Sequence, residues 1–189
     1  MRRWIGVIAF AALLPVCMTV GQAAETPAEP MPPEAIEGFW EIDGGGAVIH
    51  IQVEDGPDGA QFPGRIAWLE DDHYPADDDQ GMGGAPVVDR HNPDPSRRDQ
   101  PMLGLQMIKD LDYHVTDNDR AEWADGRVYD SDRGRWFDCY IWLADANHLK
   151  LHGYIGFRPL GRTTTWTRVP DPADSPPYHP AGSHSRDRS

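Results

Sequence analysis

Apolar and polar residues alternate with period two through most of the middle of the chain. "AVIHIQV" puts Ala47, Ile49, Ile51 and Val53 on one face and Val48, His50 and Gln52 on the other. That is the pattern of a half-buried strand. "EDGPDG" follows as a turn, and "QFPGRIAWLE" reads as the returning partner in a hairpin. "GRVYD", "GRWFDCYIWL" and "HLKLHGYIG" are three further predicted strands, the first two joined by the turn formers of "DSDRGR". "TTTWTRV" supplies a closing strand, favoured by its β-branched Thr residues and an aromatic. "LGLQMIKDLDYHV" fits either a short helix or one or two strands, and strand is preferred. Strands separated by short turns, with no long helical pattern, predict an all-β fold. A small antiparallel up-and-down β-barrel leaves no exposed edge; a sandwich is the alternative.

"GRWFDCYIWL" is apolar on both faces. Phe137, Cys139, Ile141 and Leu143 form one; Trp136, Tyr140 and Trp142, interrupted by Asp138, form the other. The pattern suits a barrel wall whose outer aromatics lie under a covering segment or against a partner. Cys139 falls on the aliphatic face and is expected to be a buried, inert thiol.

The ends differ from this middle. Residues 1–24 place Arg2 and Arg3 before a short apolar run and then small residues, the order of a signal peptide cleaved near Ala23 or Ala24. Val16 before Cys17 argues against lipidation at that cysteine. No stretch of the mature chain reaches the roughly 20 apolar residues of a membrane span, so no transmembrane segment is expected there. Residues 25–35 are rich in Pro and Glu and read as a disordered spacer; residues 170–189 read as a disordered tail. A single domain of residues 36–169 remains between them. An exported location, periplasmic or secreted, follows.

The chain carries 17 basic and 31 acidic residues, a net charge of −14; loss of Arg2 and Arg3 with residues 1–24 takes it to −16. Such acidity argues against nucleic acid and against anionic membrane surfaces. Cys139 alone remains in the mature chain, so no internal disulfide can form and the core must hold the domain.

Five ordered blocks carry a resemblance: "GFWEI", "GRIAWL", "DRHNPDPSRRDQPMLGL", "WADGRVYDSDRGRWFDCYIWL" and "LKLHGYIGFRPLGRTTTWTRV". Together they resemble domain of unknown function 2147, a family of small secreted bacterial proteins without an assigned activity. The resemblance covers nearly all of residues 38–168 and implies a signal peptide and a compact β domain. The acidic insertion "DDHYPADDDQGMGGAP" departs from the family pattern. "GFW" also resembles the Gly-x-Trp that opens lipocalin-like barrels. That resemblance implies barrel closure by Trp40, with Arg168 of the last strand covering its face through a cation–π contact.

Candidate chemistry centres on "VVDRHNPDPSRRDQPMLGL". Asp89, Asn92 and Asp94 beside Pro93 and Pro95 suit turn capping, with Arg97 and Arg98 pairing to those carboxylates. The same groups suit the polar rim of a ligand cavity. On that second reading Asp89, Asn92, Arg97 and Arg98 are ligand-binding candidates, with Ile49, Ile51 and Trp68 as wall. The acidic run from Asp71 to Asp79 lacks the Glu that completes a calcium loop; Val88 stands there. "DGGGA" precedes a strand, whereas a phosphate loop precedes a helix. No Cys–His or Ser–His–Asp arrangement is present, so no catalytic residue, metal or cofactor is assigned. Two functions remain: binding of a small apolar or amphipathic ligand, or an envelope protein-interaction module with a filled barrel. An enzyme is the least favoured.

Overall fold

The computed structural model describes residues 30–57 and 59–174. Eleven strands follow in order: β1 Gly38–Glu41, β2 Ala47–Ile51, β3 Glu54–Gly56, β4 Gly59–Gln61, β5 Gly64–Leu69, β6 Gln106–Lys109, β7 Asp112–Val115, β8 Ala121–Asp130, β9 Arg135–Asp145, β10 His148–Tyr154 and β11 Gly161–Val169. β1 pairs with β2, β2 with β5, β5 with β6, β6 with β8, and β8 to β11 pair in succession; β11 returns to β1. Every pairing is antiparallel. The result is a closed eight-stranded up-and-down barrel.

The segment that fitted either a helix or strands is one bent wall. β6 and β7 both pair with β8, and the break between them falls at Asp110, which takes φ 59°. β3 and β4 form a separate small hairpin outside the barrel. No helix among the described residues is long and apolar enough to cross a membrane.

The barrel has two unlike ends. At the floor end, Pro33–Ile36 forms a 3-10 turn across the opening. The indole N–H groups of Trp40 and Trp123 donate to Ile36 O (2.9 Å) and Pro33 O (3.1 Å), and Tyr113 Oη donates to Met31 O (2.7 Å). This corrects the boundary expected at residue 36. From Met31 onward the Pro-rich segment is part of the floor, because its carbonyls accept bonds from the barrel. At the other boundary, Pro172–Asp174 adds a 3-10 turn with Pro172 buried. The expected signal peptide, residues 25–29 and most of the expected tail, from residue 175, lie outside the described residues.

The core above the floor is packed with Trp40, Ile51, Phe62, Leu111, Trp123, Ile141 and Leu149, each at most 2 % exposed. Phe62 and Tyr113 meet the Trp123 ring edge-on. Cys139 lies fully buried in this core, and burial, reinforced by the charge of Asp138, pushes its thiol up to about 12. The thiolate is the reactive form. N-ethylmaleimide at pH 7 is therefore expected to leave Cys139 unmodified until denaturant opens the barrel. Mass mapping of the Cys139 peptide checks this; prompt labelling of the native protein would place the thiol outside the core.

Candidate functional site

Above the packed half, at the end opposite the floor, the barrel interior opens into a cavity of about 470 Å³. Its wall is apolar: Ile49 from β2, Ile66 from β5, Val128 from β8, Leu151 from β10, Trp166 from β11 and Met102 from the loop before β6. Its rim is polar: Asp43 from the β1–β2 turn, Asp130, Ser131 and Asp132 around the β8–β9 turn, and Arg162 and Thr164 from β11.

Alternation along β11 sets this order. Arg162, Thr164, Trp166 and Arg168 share the inner face and run from mouth to floor. Arg162 is exposed, and its side chain makes no hydrogen bond or ion pair among the described residues. Asp130 is engaged; its carboxylate accepts from the Arg133 backbone N–H (3.0 Å) and from Arg133 Nη1 (2.5 Å), which fixes the turn.

Arg168 closes the opposite end of the same face. Its guanidinium lies 4.1 Å from the centre of the Trp40 ring. It donates to Ala146 O (2.8 Å), Glu37 O (2.5 Å) and Ala35 O (2.7 Å), joining the β9–β10 turn to the floor turn. Burial lowers its pKa from the usual arginine value, yet arginine stays protonated throughout the working range.

The wall candidates divide. Ile49 lines the cavity. Ile51 lies opposite Gly38 at the start of β1, fully buried in the packed half below. Trp68 is corrected to the outer face. It pairs with Val48, while the flanking pairs Ala47–Leu69 and Ile49–Ile66 line the cavity. A bulge between Val48 and Ile49 adds a residue to β5 and resets its alternation.

The charged loop is likewise not the rim of this cavity; it packs against the barrel's outer wall. Asp89, 1 % exposed, accepts from Tyr129 Oη (3.0 and 2.8 Å) and Asn92 Nδ2 (2.7 Å). Burial, then the bond to Asp89, raises the Tyr129 pKa above its ordinary value, so the phenol stays a donor. Asn92 Oδ1 accepts from Asp94 N (3.0 Å), and Asp94 caps the 3-10 turn Pro95–Arg97 by accepting from Ser96 N (2.9 Å) and Ser96 Oγ (2.7 Å). Arg98 Nε donates to Asn92 O (2.9 Å). Arg97, largely exposed, lies 3.8 Å from Asp94. Asp89, Asn92 and Arg97 instead border a separate polar recess of about 320 Å³ beside Arg65 and Trp136. The reason is that Asp89, Asn92, Asp94 and Ser96 find partners within a few residues or on β8.

The acidic insertion is tied to this loop. Asp78 accepts from Met82 N (3.1 Å), Gln80 N (3.2 Å) and Arg90 Nη2 (3.1 Å), and Arg90 lies 3.6 Å from the centre of the Tyr74 ring. Bonds from Met82 N–H and Arg90 hold the Asp78 pKa below its usual value. No group of three or more potential metal ligands occurs among the described residues.

Cations cover the outer aromatics of β9. Arg158 lies 3.9 Å from the Tyr140 ring, Lys109 4.9 Å from Trp136 and Arg120 5.1 Å from Trp142. Glu122, 2 % exposed, accepts from Arg158 and Arg120 (2.8 Å), with His114 at 3.5 Å. Burial opposes the Arg158 charge most strongly, but the bond to Glu122 together with the Glu122 charge and the Tyr140 and Tyr154 phenols raises its pKa.

A closed antiparallel barrel with one end plugged by a Trp–Arg pair and the other opening on an apolar cavity defines a lipocalin-like protein. Residues 38–168 match the family described as "Uncharacterized protein conserved in bacteria (DUF2147)", and the chain belongs to that family. Among solved structures it is similar to "Protein HP1028 from the human pathogen Helicobacter pylori belongs to the lipocalin family". The TM-score is 0.55 at 17% identity, covering 72% of this chain and 84% of that one. No curated protein matches the chain.

Proposed function

We propose that this is an exported binding protein that holds a small apolar or amphipathic molecule in the mouth half of its barrel. The cavity carries the reading. At about 470 Å³ it falls within the range of small-ligand sites, roughly 300–1,000 Å³, with an apolar wall and a few polar groups at the entrance. A ligand tail would replace water against Ile49, Ile66 and Leu151, and its head group would stay at the rim near Arg162 and Thr164. An envelope module with a filled barrel needs side chains throughout the interior; here a cavity remains among the core residues of the mouth half.

Native mass spectrometry of the purified protein, looking for retained small molecules, is one test. A cavity-filling substitution sharpens it. Ile66→Trp adds an indole where the wall has room, so the overpacking cost stays within about 1–3 kcal/mol. It is expected to weaken uptake of a soluble apolar fluorescent probe by about tenfold or more. Unchanged probe affinity in a folded Ile66→Trp protein, or neither retained ligand nor probe uptake in the parent, would sink the reading.

A further inference from the structure

Exposed apolar side chains gather in the turn between β10 and β11, whose Arg158 folds back onto Tyr140 and Glu122 of the outer wall. Of six large hydrophobic residues exposed among the described residues, Met31 and Val115 lie at the floor end. Leu103 lies in the turn before β6. Ile155, Phe157 and Leu160, at 59%, 61% and 72% exposed, occupy the single turn between β10 and β11. The strand order sets these two turns on roughly opposite sides of the mouth.

The β10–β11 hairpin has a second property. No Asp or Glu occurs in residues 146–170, in a chain with 31 acids, whereas Lys150, Arg158, Arg162 and Arg168 do. Its turn also pairs part of its own backbone. Phe157 N donates to Ile155 O (2.7 Å), Leu160 N to Phe157 O (2.9 Å), and Arg158 O lies 3.0 Å from His152 Nε2. Paired backbone groups make such a tip far less costly to take out of water.

We propose that this hairpin tip docks the barrel onto a lipid bilayer. Ile155, Phe157 and Leu160 enter the interfacial layer, and Arg162, whose side chain has no partner among the described residues, reaches the headgroup phosphates. A six-residue turn is too small to supply the roughly 800 Å² per partner of a standard protein interface. Interfacial insertion needs only a few apolar side chains sunk about 5–10 Å with cations behind them. The overall negative charge does not forbid this. At physiological salt, charges beyond about 8 Å are largely screened. Of the carboxylates near the hairpin, Glu122 is paired with Arg158 and Arg120 and Asp130 with Arg133, while Asp43 and Asp132 share the rim with Arg162. Because Arg162 belongs to both the tip and the cavity rim, docking would turn the mouth toward the membrane. That last consequence rests on the binding function proposed above; the docking itself does not.

The experiment uses the chain from Glu25, which keeps the whole barrel between Met31 and Asp174 and removes the apolar N-terminal run that would mimic docking. Sucrose-loaded phosphatidylcholine vesicles are sedimented with this protein in 0.15 M salt. The parent is expected to sediment with the vesicles. The triple variant Ile155→Ser, Phe157→Ser, Leu160→Ser is expected to partition about tenfold more weakly or less, with its melting temperature and soluble-probe uptake unchanged. Should the triple variant melt lower, Leu160→Ser alone makes the same comparison. Ile66→Trp is expected to retain vesicle binding, so failure of the cavity and failure of docking are distinguishable. Docking is overturned by a parent that stays in the supernatant or by a variant that partitions like the parent. It is equally overturned if the parent self-associates without lipid and the variant does not, since the tip would then meet a second copy.

Discussion

Trp40→Ala is expected to destabilise the barrel by about 3–5 kcal/mol, the cost of emptying a fully buried aromatic site. The indole is 0% exposed and its N–H is bonded to Ile36 O, so the change opens the floor and unfastens the turn that covers it. For a domain of this size the melting temperature should fall by roughly 10 °C. Arg168→Ala should cost about 2–4 kcal/mol, because a charged donor serving three carbonyls and one ring face is removed. Arg168→Lys should recover only part, since an ammonium cannot lie flat on the ring while donating to three separated carbonyls. Urea unfolding of Trp40→Leu, Arg168→Ala and the double variant isolates the stacking contribution, expected at about 0.5–2 kcal/mol. Zero coupling would show that the contact contributes nothing to closure.

Much of this architecture was legible in the sequence because period two is written in side chains. Ala47, Ile49 and Ile51, and Cys139, Ile141 and Leu143, announce inward faces, and counting by twos back from Arg168 passes through Trp166, Thr164 and Arg162 to the rim. The same counting fails at Trp68, where a bulge shifts the face by one residue. It is silent about residues 31–35, which hold the floor through backbone carbonyls that any sequence would possess. It is silent as well about the cavity, since filled and hollow small barrels share one alternation. The charged loop was misplaced for a further reason. The partner that decides the position of Asp89 is Tyr129, 40 residues away, and no local pattern marks that pairing. The β8–β9 turn presses on the same loop. A Cβ on Gly134, at φ 59°, would stand 1.7 Å from His91 O, an approach that only glycine permits.

Asp89→Ala is expected to cost about 2–5 kcal/mol and to leave ligand uptake almost untouched. The carboxylate takes the Tyr129 hydroxyl and one Asn92 N–H in a site closed to solvent. Removing it strands two donors, and an unsatisfied buried donor costs about 1–3 kcal/mol. A water admitted to the vacated space would relieve part of that cost, which sets the lower end of the range. Asp89→Asn should be milder. Its amide oxygen, in the place of Oδ2, can still accept from both Tyr129 Oη and Asn92 Nδ2, and its NH₂ then faces only the Tyr129 hydroxyl, so the loss is that of charge rather than of the bonds. Arg98→Ala, which loses one bond to Asn92 O, should cost only about 1 kcal/mol. The cavity wall gains Met102 from this segment, and Met102 is held by its N–H bond to Val87 O, which the Asp89 side chain does not make. Probe affinity measured well below the melting temperature should therefore change by less than about threefold. If Asp89→Ala or Arg98→Ala instead abolished uptake while melting stayed put, the loop would be a ligand rim rather than a clamp on the outer wall.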